Sequence, residues 1–383
     1  MRTASEALQA LRATPCGARV LGVLAEFPEA WVVGGAVRDA LLGRDDAADL
    51  DVTVVGDTEA VARALGAVVE AHAAFGTYVV DAGDGCVVDV VTARRETYLA
   101  PGALPAVTPG DLEDDLLRRD FTVNALALNA AGVLHAAPAA LDDLRARRLR
   151  ILHAASFRDD PTRLWRLVRY AVRLGFTPEP TTDRLAAEAV ARGALGTVSG
   201  DRLGAELRLA LREPEPLSAL HAAQNLGLVE RLDLDPARVA RALALLPRAE
   251  GDPALTTLGA VLPDAAWIDG WGFDGREAAI LRACAEVAPL HADARPSEVV
   301  AALRGLPVEA VAVAGARGDG DTALRYLDDW RHVALAIDGG DLLAAGVPQG
   351  PEVGRRLAAT LAARLDGTLG DDRDAQLAFA LAA

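Results

Sequence analysis

The chain has 383 residues, 51% of them hydrophobic, and a formal net charge of −16. That length buries ample core and implies two to four domains, and the acidity excludes a protein that coats nucleic acid without regard to sequence. No run of about 18 uncharged apolar residues occurs, so no membrane-spanning helix is expected, and residues 1–11 lack the basic-then-apolar pattern of a secretory signal.

In chain order, the first predicted strand is the apolar run 31–33. Gly34 and Gly35 follow it and open a helix that carries Arg38 and Asp39. Glycines there let backbone N–H groups at a helix N-terminus approach a phosphate. The next predicted strand, 50–55, begins beside Asp49 and contains Asp51. Residues at i and i+2 of a strand share a face. Two carboxylates so placed repel unless a cation lies between them, and hard oxygen ligands suit magnesium. Strands are also predicted at 78–81 and 87–92, joined by a hairpin turn at Gly83-Asp84-Gly85. Asp89 stands among valines in the second of these. It joins the acidic pair if its strand lies beside 50–55, and otherwise marks an edge facing water. A last strand is expected over 126–134. The segment 97–111 reads as a loop stiffened by proline. From about residue 140 onward, Ala, Leu and Arg at helical spacing predict helices alone, broken at 175–180, 213–216, 251–253 and 346–351. The fold class is therefore α+β.

All 39 cationic side chains are arginines, so any phosphate or base contact must use guanidinium forks. Arg119, Asp120 and Asn124 fall close together, with groups suited to phosphate and ribose oxygens. From Asp142 to Arg173, nine arginines face four aspartates, a basic island in an acidic chain. Within it, Arg163, Arg166, Arg169 and Arg173 share an arc of about 120° on a helix, opposite the apolar face. Asp160 before Pro161 reads equally as a helix N-cap, and Ser156 with Asp159 as a capping box. Cys16, Cys86 and Cys284 are far apart and form no Cys-x-x-Cys. They are expected to be separate thiols in a reducing cytoplasm, without structural zinc.

The ordered motifs Gly-Gly-Ala-Val-Arg-Asp, Asp-x-Asp, Arg-Arg-Asp-Phe-Thr-Val-Asn-Ala and Asp-Asp-Pro-x-Arg-x-x-Arg-x-x-Arg-Tyr-Ala resemble the class II CCA-adding enzyme and bacterial poly(A) polymerase family. Asp201-Arg202-Leu203-Gly204-Ala205-Glu206-Leu207 resembles the family's later Arg-x-x-x-Glu-Leu helix. The resemblance covers about residues 30–210. It implies a nucleotidyltransferase head with a mixed sheet over 1–140, a helical neck over 141–215, and an all-α, RNA-binding body and tail over 216–383.

By the same resemblance, Gly34, Gly35 and Arg38 contact a triphosphate. Asp49 and Asp51 hold Mg2+; Asp89 stays the third candidate for a catalytic acid on its strand position alone. Arg119, Asp120 and Asn124 hold phosphate and ribose. Asp160 and Arg163 read the base, and Arg166 and Arg169 touch base or phosphates. Asp159 stands where the family usually has Glu. The implied reaction adds C, A or both from CTP and ATP to the 3′ acceptor end of tRNA. Poly(A) synthesis is the alternative within the family. A non-catalytic nucleotide- or RNA-binding protein and a small-molecule nucleotidyltransferase are the alternatives outside it.

Cytosine and adenine both present an amino donor beside a ring-nitrogen acceptor. One carboxylate and one guanidinium therefore accept both bases and leave guanine and uracil mispaired. In the C-terminal half, glycines and prolines precede a helix carrying Arg355 and Arg356. They read either as a plain connector or as a grip on the RNA backbone. The sequence leaves the permitted nucleotides and the oligomeric state open.

Overall fold

Alternating β-branched residues build the N-terminal sheet. The computed structural model describes residues 1–44, 50–72, 76–247 and 249–383. Asp49, one of the expected metal ligands, lies outside the described residues. Two units divide the chain, Met1–Leu228 and Val229–Ala383.

The first unit starts with helices α1 (Ala4–Ala13) and α2 (Pro15–Leu24), then strand β1 (Ala30–Val33), helix α3 (Gly35–Leu42) and strand β2 (Leu50–Val54). Helix α4 (Thr58–Leu65) leads to β3 (Ala67–His72), β4 (Thr77–Asp81) and β5 (Val87–Thr92). A separate hairpin, β6 (Arg94–Thr97) with β7 (Ala106–Pro109), precedes α5 (Leu112–Leu117), β8 (Leu126–Leu128) and β9 (Leu134–Ala136). The seven-stranded sheet has the order β3-β4-β5-β2-β1-β8-β9. The β2–β5 junction is parallel and its neighbours are antiparallel, so the sheet is mixed.

One face of this sheet presents Val32, Val52, Val54, Val88 and Val90, all buried, and α3 and α4 pack on its strands. On the other face Leu116 of α5 closes over Trp31, Val33, Ala125 and Ala127. The remainder of that face, around Asp51 and Asp89, stays open.

Three expectations are corrected here. The predicted strand 126–134 is two strands, because the Asn129 side chain accepts from the Ala131 and Val133 amides (3.1 and 2.9 Å) and Gly132 turns the chain at φ 87°. The loop 97–111 is largely the β6–β7 hairpin, paired from Arg94↔Pro109 to Thr97↔Ala106. Cys16 and Cys86 are not separate thiols but a disulfide, while Cys284 is free and buried.

Helices complete the first unit: α6 (Ala140–Ala146), α7 (Ser156–Asp159), α8 (Arg163–Leu174), α9 (Pro180–Ala191), α10 (Gly200–Leu211) and α11 (Pro216–Leu226). The segment expected to hold helices alone is corrected in one place: strands β10 (Arg148–Leu149) and β11 (Thr177–Pro178) form a short parallel pair, flanking α8. Gly175 ends α8 in the left-handed region at φ 66°, a conformation that costs glycine little. Glu179 then caps α9 ahead of Pro180.

The second unit is helical throughout its described residues: α12 (Pro236–Leu245), α13 (Pro253–Val261), α14 (Gly275–Glu286), α15 (Pro296–Leu303), α16 (Val308–Arg317), α17 (Gly320–Asp328), α18 (Gly339–Ala344), α19 (Pro351–Leu365) and α20 (Arg373–Ala382). Aspartate before proline sets two of these starts. Asp235 and Asp252 each accept from the first-turn amides behind Pro236 and Pro253. Ile337, Leu342, Val347 and Ala380 form a core cluster among α18, α19 and α20. No helix among the described residues is long and apolar enough to cross a membrane.

Candidate functional site

The open part of the sheet face forms the floor of a cleft of about 580 Å³. Register places its acids. Asp51 on β2 pairs directly with Asp89 on β5, so both side chains leave the same face. Both line the cleft. Adjacent strands lie about 4.8 Å apart, which brings the two carboxylates within reach of one shared cation. Two hard oxygen donors side by side on a solvent-reachable face fit a divalent ion such as magnesium. Among the described residues no group of three or more His, Cys, Asp or Glu is arranged around a metal.

Gly34 sits at the mouth of α3 with φ 71°, and a Cβ there would come within 2.9 Å of Arg119 Nη1. Backbone conformation and close approach thus both select glycine. The first-turn N–H groups of α3, beginning with Gly35, have no carbonyl within the helix to bind. Gly34, Gly35 and Arg119 all line the cleft. Arg119 Nη2 donates to Asp115 Oδ2 at 2.9 Å, while its buried Nε has no hydrogen-bond partner in the protein. Arg119 Nη1, beside the glycine-rich helix start, is the guanidinium nitrogen placed to meet an anion in the cleft.

Arg38 is not at the surface of this cleft. It is 2% exposed. Its guanidinium binds Asp39 at 2.9 and 2.8 Å and donates to Asn124 Oδ1. Asn124 Nδ2 donates to Asp120 Oδ1 at 2.9 Å, and Asp120 Oδ2 accepts from Arg166 Nε at 2.7 Å. The Tyr170 ring lies 5.4 Å from the Arg38 guanidinium and 5.8 Å from that of Arg166. A continuous chain, Asp39–Arg38–Asn124–Asp120–Arg166, therefore frames one wall. Burial pushes the Asp120 carboxyl up, but Arg166, Asn124 and the Phe121 amide outweigh it and hold the group below the usual carboxylate range. Asp120 in turn raises Arg166.

The arginine helix α8 differs from its sequence reading in one respect. Its guanidinium groups do not form a row awaiting an anion. Arg169 is 8% exposed and binds Glu206 and Glu213 at 3.0 Å each. It is absent from the cleft lining. Burial raises Glu206, with Arg166 and Arg169 opposing.

Arg163 and Asp160 do line the cleft. Arg163 Nη1 donates to Ser156 Oγ and Nη2 to the Arg118 carbonyl, both at 2.7 Å. Asp160 Oδ1 accepts from the Thr162 amide (3.1 Å), the Thr162 hydroxyl (2.7 Å) and Arg202 Nη2 (2.8 Å). The α8 helix starts only at Arg163, so Asp160 secures the turn before it. Its Oδ2 lies 3.9 Å from Arg163 Nε. The N-cap expectation is corrected: the α8 N-cap is Thr162, without a side-chain cap, and Asp160 ends α7, bracing the turn between the two helices while lining the cleft. The Ser156–Asp159 capping box does not form: α7 starts at Ser156 with no side-chain cap, and Asp159 binds Arg158.

Sequence reasoning missed several groups, among them Glu70, His72 and Thr77 of the cleft lining. Asp115 is fully buried and binds Arg118 and Arg119 while accepting from Thr53 on β2. Burial raises its carboxyl, but Arg119 and Arg118 outweigh that and leave it lowered. Glu96 and Tyr98, from the β6 end of the hairpin, line the cleft. Arg202 carries Asp160 and also donates to the Gly102 carbonyl at 2.7 Å. A buried acid three and four residues before paired arginines was the available signal for Asp115.

In the second unit, Arg355 is exposed and binds Glu352. Arg356 binds Glu352 at 2.8 Å and donates to the carbonyls of Ala380 and Leu381, closing the end of α20.

Residues 30–150 match the family described as the poly(A) polymerase head domain. An A-adding tRNA nucleotidyltransferase of Geobacter sulfurreducens is 35% identical over 88% of this chain, which spans only 43% of that protein's length. A CC-adding tRNA nucleotidyltransferase of Deinococcus radiodurans is 35% identical over 93% of this chain and 94% of its own length. The solved Thermotoga maritima CCA-adding enzyme complexed with tRNA is 26% identical, with a TM-score of 0.72 over 100% of this chain and 98% of that one.

Proposed function

We propose an activity for this chain, which belongs to the tRNA nucleotidyltransferase and poly(A) polymerase family: transfer of C, A or both from CTP and ATP to the 3′ end of tRNA. The single observation that carries it is the cleft itself. Paired carboxylates on the sheet floor face a glycine-rich helix start, an anion-ready Arg119 and a wall of base- and sugar-sized polar groups. In the reaction the 3′ oxygen bonds to the α-phosphorus, the α–β phosphoanhydride breaks, pyrophosphate leaves, and the hydroxyl proton passes to solvent water.

Asp51 and Asp89 would hold Mg2+, together with Asp49, which the sequence places two residues before Asp51. Bound there, divalent ions lower the pKa of the attacking hydroxyl and neutralise charge on the departing pyrophosphate. The α3 N-terminus and Arg119 hold the triphosphate. Asp120 and Asn124, stiffened by Arg38 and Arg166, shape the sugar pocket. Asp160 and Arg163 read the base edge. Arg169 supports this wall from behind through Glu206 and Glu213.

In this reading the head and neck, residues 1–215, lie within the first unit, and the helical segment from 216 onward binds the body of the tRNA, with Arg355 on its surface. The reaction belongs in the cytoplasm, where tRNA is matured. The Cys16–Cys86 disulfide is unusual for that compartment, but neither cysteine lines the cleft. The test is incubation with tRNA ending at the discriminator base, at C and at CC, each with one labelled triphosphate. Extension by C or A at a matching end supports the proposal, and extension of none overturns it.

A further inference from the structure

The β6–β7 hairpin is wired to the base-reading wall by one buried carboxylate. The Glu96 side chain is 7% exposed. Its Oε1 accepts from Arg94 Nε at 3.1 Å and Arg118 Nη1 at 3.0 Å, and its Oε2 accepts from the Tyr98 hydroxyl at 2.9 Å. Arg118 is held on its other side by Asp115 at 2.9 and 2.6 Å. The carbonyl of that same residue receives Arg163 Nη2. Glu96 thus fixes Arg118, and Arg118 fixes the plane of Arg163. Tyr98, held by the same carboxylate, lines the cleft alongside Arg163 and Asp160. Burial first, and the charge of Glu96 second, push the Tyr98 hydroxyl up to about 12. It therefore remains a donor to Glu96 throughout the neutral range.

We infer that Glu96 is a positioning residue for base choice, acting through Arg118 on Arg163 and through Tyr98 on the wall beside it. This rests on the reading of Asp160 and Arg163 as the base-recognising pair. A guanidinium discriminates between base edges only if its plane is fixed, because a rotating fork can donate to the carbonyl of uracil or guanine as readily as to a ring nitrogen. The Glu96 carboxylate gathers two arginines and a phenol. Replacing it with an amide removes the charge that Arg94 and Arg118 share; Arg118 keeps Asp115 but loses the tie that holds it to the hairpin.

The test measures dissociation constants of CTP, ATP, UTP and GTP, and in parallel their transfer to tRNA, for the wild type, Glu96→Gln and Tyr98→Phe. The expected result is a narrowing of the preference for the better of CTP and ATP over UTP and GTP. The ratio should fall by about tenfold in Glu96→Gln and about threefold in Tyr98→Phe, with KM for tRNA unmoved. Should Glu96→Gln not fold, Tyr98→Phe, which deletes one hydroxyl, decides alone. If all four affinities weaken together with their ratio intact, Glu96 is only a structural tie and the inference is overturned. A wild type that binds selectively yet transfers nothing refutes the transfer activity and leaves this inference standing. A wild type that transfers C or A while neither variant alters the ratio does the reverse.

Discussion

Asp51 and Asp89 are direct partners across the parallel β2–β5 junction of the sheet, with their side chains on its open face. Hydrophobic packing on the opposite face sets that placement. Val52, Val88 and Val90 must point into the core, so the residues between them must point out. A one-residue slip of either strand would bury its aspartate among valines. The sheet core therefore enforces the geometry of the acidic pair.

Removing either acid should end transfer without unfolding the protein. Asp51→Ala or Asp89→Ala is expected to lower single-turnover transfer on the order of 10³-fold or more. In metal-free buffer the melting temperature should hold or rise, because a like charge has been removed. Turnover near the wild-type rate in either variant would refute the assignment of that residue.

Asp160→Ala separates two roles. Loss of the turn and the Arg202 contact should cost about 1 kcal/mol or somewhat more. If Asp160 also reads the base, incorporation of U and G should rise relative to C and A. Four-triphosphate incorporation measured beside thermal melting distinguishes the cases. An unchanged preference with a lower melting temperature would leave Asp160 only its turn.

Arg169→Met should act on stability. It leaves Glu206 and Glu213 without their shared cation, and breaking such a buried cluster costs about 3–5 kcal/mol. Denaturant unfolding of the variant measures this. The double substitution with Glu206→Gln should recover part of the loss, since Glu206 is already raised by burial.

Acid should unfold the first unit through Asp115 and Asp120. Both carboxyls lie below the ordinary aspartate value of 3.8 in the folded chain. The unfolded state therefore binds more protons near that pH, and stability rises with pH there. Their contribution is complete above about pH 5 and is lost as pH falls through the folded values. Glu206, raised by burial, has the opposite slope above 4.5. Asp120→Asn should flatten the acid limb in a pH series of melting temperatures, and an unaltered limb would refute the assignment.

Much of the site was legible because its parts are local. The Gly34-Gly35 helix start, the alternation around Asp51 and Asp89 and the Asp84 hairpin each depend on neighbours in sequence. Other features depend on distant partners. The fate of Arg169 depends on Glu206 and Glu213, 37 and 44 residues away, so a helical wheel showed its direction but not its counter-ions. The Cys16–Cys86 bond spans 70 residues. Strand β3 escaped notice because all six of its residues are exposed, which removes the alternation by which a half-buried strand is recognised. The β6–β7 hairpin escaped because each of its strands has only four residues and none is buried, too short a run for alternation to register.

For the C-terminal turn, truncation before Gly346 is a poor test because it removes Val347 and Val353 from the cluster around Leu342. Arg355→Ala is the cleaner variant, as among the described residues that side chain binds Glu352 alone, on its own helix. If the second unit grips tRNA there, KM for tRNA should rise about threefold with KM for nucleotide unchanged. Equal KM values would make the turn a connector.

The most direct measurement is product length at single-nucleotide resolution. Wild type and Asp51→Ala are each incubated with tRNA ending at the discriminator base, at C and at CC, with CTP, ATP, UTP or GTP supplied singly. The account predicts that the wild type adds C, A or both in at most three steps, that UTP and GTP are ignored, and that Asp51→Ala adds nothing. Indifference to the base, a long unbroken run of A, or equal extension by Asp51→Ala would contradict it.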